Sequence, residues 1–257
     1  MLRIDYAWLT HPGRRKMNQD NIVCMKRYLP RIHDGPDEPV TGSIDAGNGA
    51  VFGVFDGMGG EEHGEAASWI AAKTAASMAI RNADDLKLFC RKANRKICQY
   101  ARNNAIVSSG TTAALLLFDG NGAYGCHVGD SRIYRCDYGI PEQLTKDDVP
   151  PGRGRKHMLL QCLGIPEEEM RITPHLDYYL IRDRAYFMIC TDGLTHMLTE
   201  NQIAEVLSDG NSLRQQTRRL TDKALAAGGR DNITLFLIRA TPCGRASGNA
   251  GSIQGIQ

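Results

Sequence analysis

The sequence predicts an α+β fold in which two antiparallel β-sheets pack face to face and a helix pair covers each outer side. Three observations predict it. Helical patterns arrive in two pairs instead of alternating with single strands, which argues against a parallel βαβ sheet. The segments between them are short apolar runs parted by turn residues such as Asp119-Gly120-Asn121-Gly122 and Asp137-Tyr138-Gly139, as antiparallel neighbours require. Amphipathic helices and half-buried strands hide their apolar faces only when stacked in layers. With 257 residues, 42% of them hydrophobic and 23% charged, the chain can fill such a core.

In chain order, residues 1–27 read as an edge strand, the polar loop HPGRRKMNQDN and a strand near Ile22 to Met25. Tyr28 to Asn48, with Pro30, Pro36 and Pro39, reads as an irregular connection. Val51 to Phe55 is a short buried strand that Gly57, Gly59 and Gly60 break. Glu65 to Arg81 and Asp84 to Arg102 carry apolar residues at helical spacing. Thr112 to Phe118, Ala123 to Val128 and Arg132 to Cys136 read as a meander, followed by a short helix over Lys156 to Leu163. Arg171 to Ile181 and Tyr186 to Cys190 read as strands paired through Arg182-Asp183-Arg184. Thr199, with Gln202 at capping-box spacing, opens one helix; Ser212 to Ala227 makes another that stops at Gly228-Gly229. Ile233 to Ile238 is the last strand. Residues 1–240 thus read as one domain, and 241–257 have the composition of a flexible tail.

A net charge of +2 from 31 basic and 29 acidic residues gives no nucleic-acid footprint. Eight cysteines without a C-x-x-C pair, mostly inside apolar runs, read as reduced core thiols. Without a signal-peptide pattern or a membrane-spanning apolar run, a cytoplasmic location is expected.

Four acids share one kind of place. Asp56, Asp130 and Asp192 each follow an apolar strand, and Asp231 precedes one. Strand ends and neighbouring strand starts lie on the same edge of an antiparallel sheet, so the four can converge. Converging carboxylates repel unless a cation lies among them, and an all-oxygen donor set favours Mg²⁺ or Mn²⁺ over zinc. The glycines after Asp56 let the Gly57 carbonyl face the same ion. Arg14-Arg15-Lys16, just before Asn18-Gln19-Asp20, can bring a guanidinium beside the acids, as a phosphoryl group would require. Taken singly, each acid reads as a turn or cap residue sooner than as a ligand. Taken together, they point to metal-assisted phosphoester hydrolysis.

From Arg15 to Ile238 the chain resembles the metal-dependent protein phosphatases called protein phosphatase 2C, especially their bacterial branch. The resemblance is carried by R-x-x-N-Q-D, DGMGG with GEAAS, SGTTA, VGDSRIY, QLTKDD, CLG, CTDGL and GGRDNIT, in that order. It implies a four-layer αββα sandwich and hydrolysis of phosphoserine and phosphothreonine by a hydroxide bridging two Mn²⁺ or Mg²⁺ ions. By resemblance, Asp56 bridges the metals, Gly57 gives its carbonyl to one, and Asp192 and Asp231 hold the other. Asp130 with Asp192 forms a weaker third site, Arg15 clamps phosphate, and Asp20 orients metal-bound water. The partners it implies are phosphorylated proteins and a serine/threonine kinase acting on the same substrates.

Three positions depart from the family. Met58 stands where many eukaryotic members carry a histidine. Only VPPGRGRKHML joins Asp148 to Leu160, a shortened flap. His196 takes the place of an acidic third-metal ligand. The flap and His196 leave open a catalytically weak pseudophosphatase or phosphoprotein-binding module, and the same metals would suit a phosphodiesterase. Retention of Arg15, Asp56, Asp192 and Asp231 favours the phosphatase.

Overall fold

The computed structural model describes residues 1–58, 63–151 and 159–243. The elements run β1 (Leu2–His11), β2 (Asn21–Cys24), β3 (Arg27–Tyr28), β4 (Val40–Asp45), β5 (Ala50–Phe55) and β6 (Gly57–Met58), then α1 (Gly64–Ser77) and α2 (Ala83–Asn103). Next come β7 (Gly110–Thr111), β8 (Ala113–Phe118), β9 (Gly122–Val128), β10 (Arg132–Asp137), β11 (Ile140–Gln143), β12 (His175–Leu180) and β13 (Ala185–Cys190). The single turn α3 (Asp192–Thr195), α4 (Glu200–Leu207), α5 (Leu213–Ala226) and β14 (Ile233–Pro242) complete the order.

Twelve strands form two six-stranded antiparallel sheets, β11-β10-β13-β14-β1-β4 and β12-β9-β8-β5-β2-β3, and β6 pairs with β7 alone. Their inner faces meet in an aromatic-rich core. Phe52 contacts Phe118 and Phe236 at ring-centroid distances of 6.0 and 5.8 Å, and Phe118 contacts Phe187 at 5.8 Å, all edge-on. Each such pair adds about 0.5–1.5 kcal/mol beyond area burial, so this chain of rings fastens the two sheets together. On the outer side of the second sheet, alanine-rich α1 and α2 enclose Phe55, Phe89, Leu115 and Ile97. On the outer side of the first, α3, α4 and α5 enclose Tyr134, Met188, Ile203 and Leu220. The four layers are those the sequence predicts.

Local chemistry sets the helix ends. Asn82 accepts the Asp85 N–H at 3.0 Å to start α2. Thr199 and Ser212 form reciprocal capping boxes with Gln202 and Gln215, each such cap being worth about 1 kcal/mol. After α5, Gly228 and Gly229 adopt positive φ.

Several expectations need correction. The stretch read as irregular contains β4, which pairs with β1 from Arg3↔Asp45 to Trp8↔Val40. The meander breaks after β9: β8 and β9 pair, whereas β10 pairs with β11 and β13 in the opposite sheet. Gly129, at φ +99°, turns the chain across. The hairpin expected through Arg182-Asp183-Arg184 does not exist, because β12 pairs with β9 in one sheet and β13 with β10 and β14 in the other. The helix expected over Lys156 to Leu163 falls partly outside the described residues; 159–163 are not helical, and Leu163 bridges to Thr111. The shortened flap likewise falls largely outside, at 152–158. The last strand continues to Pro242, past the expected end at Ile238. Among the cysteines, Cys24, Cys90, Cys98, Cys126, Cys136 and Cys190 are buried free thiols.

Candidate active site

Both sheets deliver acids to one end of the sandwich. Asp56 follows β5 and Asp130 follows β9 in the second sheet; in the first, Asp192 follows β13 and Asp231 precedes β14. Asp20, just before β2, lies beneath them. Burial and then the charges of Asp20, Asp192, Asp130 and Asp231 hold the Asp56 carboxyl well above the usual carboxylate range. Burial and Asp192 likewise push Asp130 up to about 7. Burial alone would raise either carboxyl, but the added repulsion from named carboxylates acts only at short range, so these five side chains share one neighbourhood.

Asp20 is 1% exposed. Its Oδ2 accepts hydrogen bonds from the hydroxyls of Thr191, at 2.9 Å, and Thr234, at 2.5 Å. Its Oδ1 is buried with no hydrogen-bond partner. A buried orphan carboxylate oxygen costs about 1–3 kcal/mol or more unless something cationic satisfies it. Burial, followed by the repulsion of Asp192 and Asp231, raises Asp20 as well, against the lowering effect of the two threonine hydroxyls.

The supports of the acids are rigid. The Asp56 N–H donates to Thr112 Oγ1 at 3.0 Å, and its carbonyl accepts from the Thr112 N–H and the Thr111 hydroxyl, both at 2.9 Å. Thr112 in turn shares a hydrogen bond of 2.6 Å with Ser131, beside Asp130. A Cβ on Gly57 would collide with the backbone carbonyls of Gln19 and Gly64, and one on Gly193 with the carbonyl of Asn232. Close backbone approach therefore explains the glycine after Asp56 and the glycine after Asp192.

Arg15 stands on the loop after β1. The Arg14 N–H donates to the Gly229 carbonyl at 2.7 Å, and the Asn232 amide donates to the carbonyls of Pro12 and Met17 at 2.9 and 3.0 Å. Gly13, at φ +63°, passes so close to the Asp231 backbone that a side chain would not fit. Thus anchored, Arg15 donates through Nη2 to Asp231 Oδ2 at 2.7 Å while its side chain remains 58% exposed. That hydrogen bond, with the charges of Asp231, Asp56 and Asp192, raises the guanidinium further. His196 Nδ1 lies 3.2 Å from Asp192 Oδ2, so the structure places it beside the acid cluster.

Arg15, Asp20, Asp56, Gly57, Asp130, Asp192, Asp231 and His196 therefore gather at one end of the sandwich. Sequence reasoning missed the hydroxyl and amide scaffold of Thr111, Thr112, Thr191, Asn232 and Thr234. The available signal was polar β-branched residues at the ends of otherwise apolar strands.

Comparison with known proteins agrees with this architecture. The chain is similar to serine/threonine phosphatase Stp of Listeria monocytogenes, 27% identical over 216 residues that cover 74% of this chain and 84% of that one. It is also 27% identical to protein phosphatase PhpP of Streptococcus pneumoniae, covering 91% and 97%. The solved structure of the Streptococcus agalactiae serine/threonine phosphatase superposes with a TM-score of 0.75 at 25% identity, covering 91% of this chain and 98% of that one. The catalytic domain of the phosphatase PstP, solved with two manganese ions, also gives 0.75, at 24% identity and with 94% and 100% covered. The family model described as Protein phosphatase 2C matches residues 40–228, and the chain belongs to the protein phosphatase 2C family.

Proposed function

We propose that this protein hydrolyses phosphoserine and phosphothreonine in proteins with the help of two Mn²⁺ or Mg²⁺ ions and a weaker third. The observation that carries the reading is the gathering of five acids, one with an orphaned buried oxygen, next to an exposed arginine. An all-oxygen donor set suits hard cations, and Asp20 Oδ1 leaves a buried lone pair facing no donor, so the residues fit the metals. Asp56 and the Gly57 carbonyl would hold one ion, Asp56, Asp192 and Asp231 the other, and Asp130 with Asp192 the third, with His196 beside it. When bound, the ions polarise the phosphoryl group and acidify a water for in-line attack on phosphorus.

The chain's own groups do the rest. Arg15 offers a planar fork to two phosphoryl oxygens as it shares its charge with Asp231. Thr111 and Thr112 hold the backbone of Asp56 still, so the acid meets its ligand without reorganising. Asp20, fixed through Oδ2 by Thr191 and Thr234, keeps Oδ1 buried without a hydrogen-bond partner and would use it to orient water. Because no cysteine stands among these groups, the reaction goes without a thiol nucleophile.

The substrates are phosphoproteins, and a serine/threonine kinase acting on the same proteins is the natural partner; we place this protein in the cytoplasm. Among the described residues no helix is long and apolar enough to cross a membrane. The test is phosphate release from a phosphothreonine peptide with Mn²⁺, with Mg²⁺ and with EDTA, beside a nucleotide diester. Metal-dependent release from the peptide alone is expected; preference for the diester, or no release, would overturn the reading.

A further inference from the structure

Outside the acid cluster a second group of metal-ligating side chains stands at the root of the flap. His127 is the last residue but one of β9, His175 begins β12, and the two are directly opposite in the antiparallel register. Asp148 joins them from the connection after β11, and one ligand atom from each of the three lies within 4.8 Å of the others. His175 Nε2 is 2.9 Å from Asp148 Oδ1. The group borders an open cavity of about 890 Å³, lined by Asp148 and His175 among others, through which an ion can reach it.

The partners of these side chains leave the right atoms available. His127 Nε2 must donate to the Lys146 carbonyl, 2.9 Å away, because a carbonyl only accepts. Its Nδ1 is therefore a lone pair, and burial favours the neutral ring. Asp148 Oδ2 already accepts the Gly129 N–H and the Gln161 amide, each at 2.9 Å, whereas Oδ1 meets only His175 Nε2, a hydrogen bond that a shared cation replaces. Gln161 is itself oriented by the Thr173 N–H at 3.1 Å. Histidines whose other N–H is tied to a carbonyl, and carboxylates held by outer hydrogen bonds, are how proteins aim metal ligands.

We infer that His127, Asp148 and His175 form a separate cation site of two nitrogens and one oxygen, suited to Zn²⁺, that clasps the root of the flap to strands β9 and β12. Two imidazoles, one carboxylate and a water complete the four-coordinate shell that Zn²⁺ prefers, whereas the hard-cation centre is built of oxygens alone. Bonds of about 2.0–2.2 Å bring ligand atoms to roughly 3.3 Å apart, closer than the present 4.8 Å limit. Closure requires one adjustment. The two rings are now stacked, with centroids 4.5 Å apart and planes 14° from parallel, and no ion lies in both planes at once. His175 is on an edge strand with its side chain 43% exposed, so it turns, and its ring takes the tautomer with the proton on Nδ1.

The test is Zn²⁺ titration of the protein in millimolar Mg²⁺, which competes for the oxygen site, read by calorimetry and by the visible spectrum after Co²⁺ substitution. One Zn²⁺ per chain is expected, with the Co²⁺ form giving the intense bands of four-coordination. His175→Ala and His175→Gln should each weaken Zn²⁺ binding by at least ~10-fold, the scale on which even outer partners of a metal ligand act. Asp192→Asn, in the acid cluster, should leave it unchanged. Lack of Zn²⁺ uptake, uptake indifferent to both His175 variants, or uptake lost with Asp192→Asn would each overturn the inference. None of these readouts depends on phosphatase activity.

Discussion

The acid cluster and the histidine cluster meet at one turn, since Gly129 is hydrogen-bonded to Asp148 and is followed by Asp130, yet their polar groups are treated in opposite ways. At the acid cluster charge is buried ahead of its partners: Asp20 Oδ1 has no donor, and Asp56 and Asp130 are pushed up by burial and by each other's neighbours. At the histidine cluster Asp148 accepts from Gly129, Gln161 and His175, and His127 donates to a carbonyl. The first is thus completed only by a cation, whereas the second is satisfied without one and gains a cation by exchanging a hydrogen bond. Stability should therefore depend on metal at the first far more than at the second.

The largest effect is expected of Asp192→Asn, which keeps shape and removes charge. We expect hydrolysis of a phosphothreonine peptide to fall by ~10²–10³-fold, the scale of losing one preorganised electrostatic partner, with an unchanged circular-dichroism spectrum. Near-normal turnover would remove Asp192 from the centre. Arg15→Ala should act on substrate instead of metal. Loss of charge-assisted hydrogen bonds worth about 1.5–3 kcal/mol should raise KM by about 10- to 100-fold with a smaller change in kcat, and an unaltered KM would count against the clamp.

Two expectations concern stability. Thr234→Val removes a hydroxyl from Asp20 and should destabilise the metal-free protein by about 1–3 kcal/mol, or roughly 2–4 °C of Tm per kcal/mol. Calorimetry in EDTA measures it, and an unchanged Tm would show that the carboxyl does not need the bond. The pH response has a definite sign. Asp130 titrates at about 7 in the fold, against ~3.9 when unfolded, and Asp20 is raised too. Raised acids contribute stability that is complete below the unfolded value and is lost as pH rises through the folded one. In EDTA the Tm should therefore fall between about pH 4 and 7, and Mn²⁺ should flatten the slope; a flat curve in EDTA would contradict the crowding of charges.

The smallest effect is expected at residue 196. His196 Nδ1 touches Asp192, and imidazole suits Mn²⁺ better than Mg²⁺. His196→Asp should lower the Mg²⁺ concentration for half-maximal activity a few-fold and narrow the advantage of Mn²⁺. Superimposable metal titrations of the two proteins would exclude residue 196 from the third site.

The acids were legible in the sequence because each interrupts an apolar run beside a glycine or asparagine, and chain punctuation of that kind is local. The capping boxes at Thr199 and Ser212 were legible for the same reason. Sheet membership was not. The residues that turn β9 into β10, Gly129 to Ser131, resemble those of any hairpin, and only the packing of Ile133 and Phe187 against the inner core decides that the chain crosses between sheets. The threonine supports were hidden because a threonine inside a strand reads as an ordinary β-former until its hydroxyl's partner is known. The pairing of His127 with His175 depends on β12 joining β9 across the whole flap region, which no local pattern encodes.

The ten-residue pairing of β1 with β14, from Leu2↔Pro242 to His11↔Ile233, puts the first and last strands side by side in the middle of a sheet. During synthesis, β13 and β1 must wait for β14 to come between them, while the second sheet with α1 and α2 is complete much earlier. Asp231 sits on the threshold of that last strand, and Arg15 closes on it only afterwards. A ribosome-bound chain lacking β14 would thus carry a half-built sandwich in which Asp20 has lost the Thr234 hydroxyl and Arg15 has no Asp231 to meet, so the acid cluster is assembled only once β14 has been made.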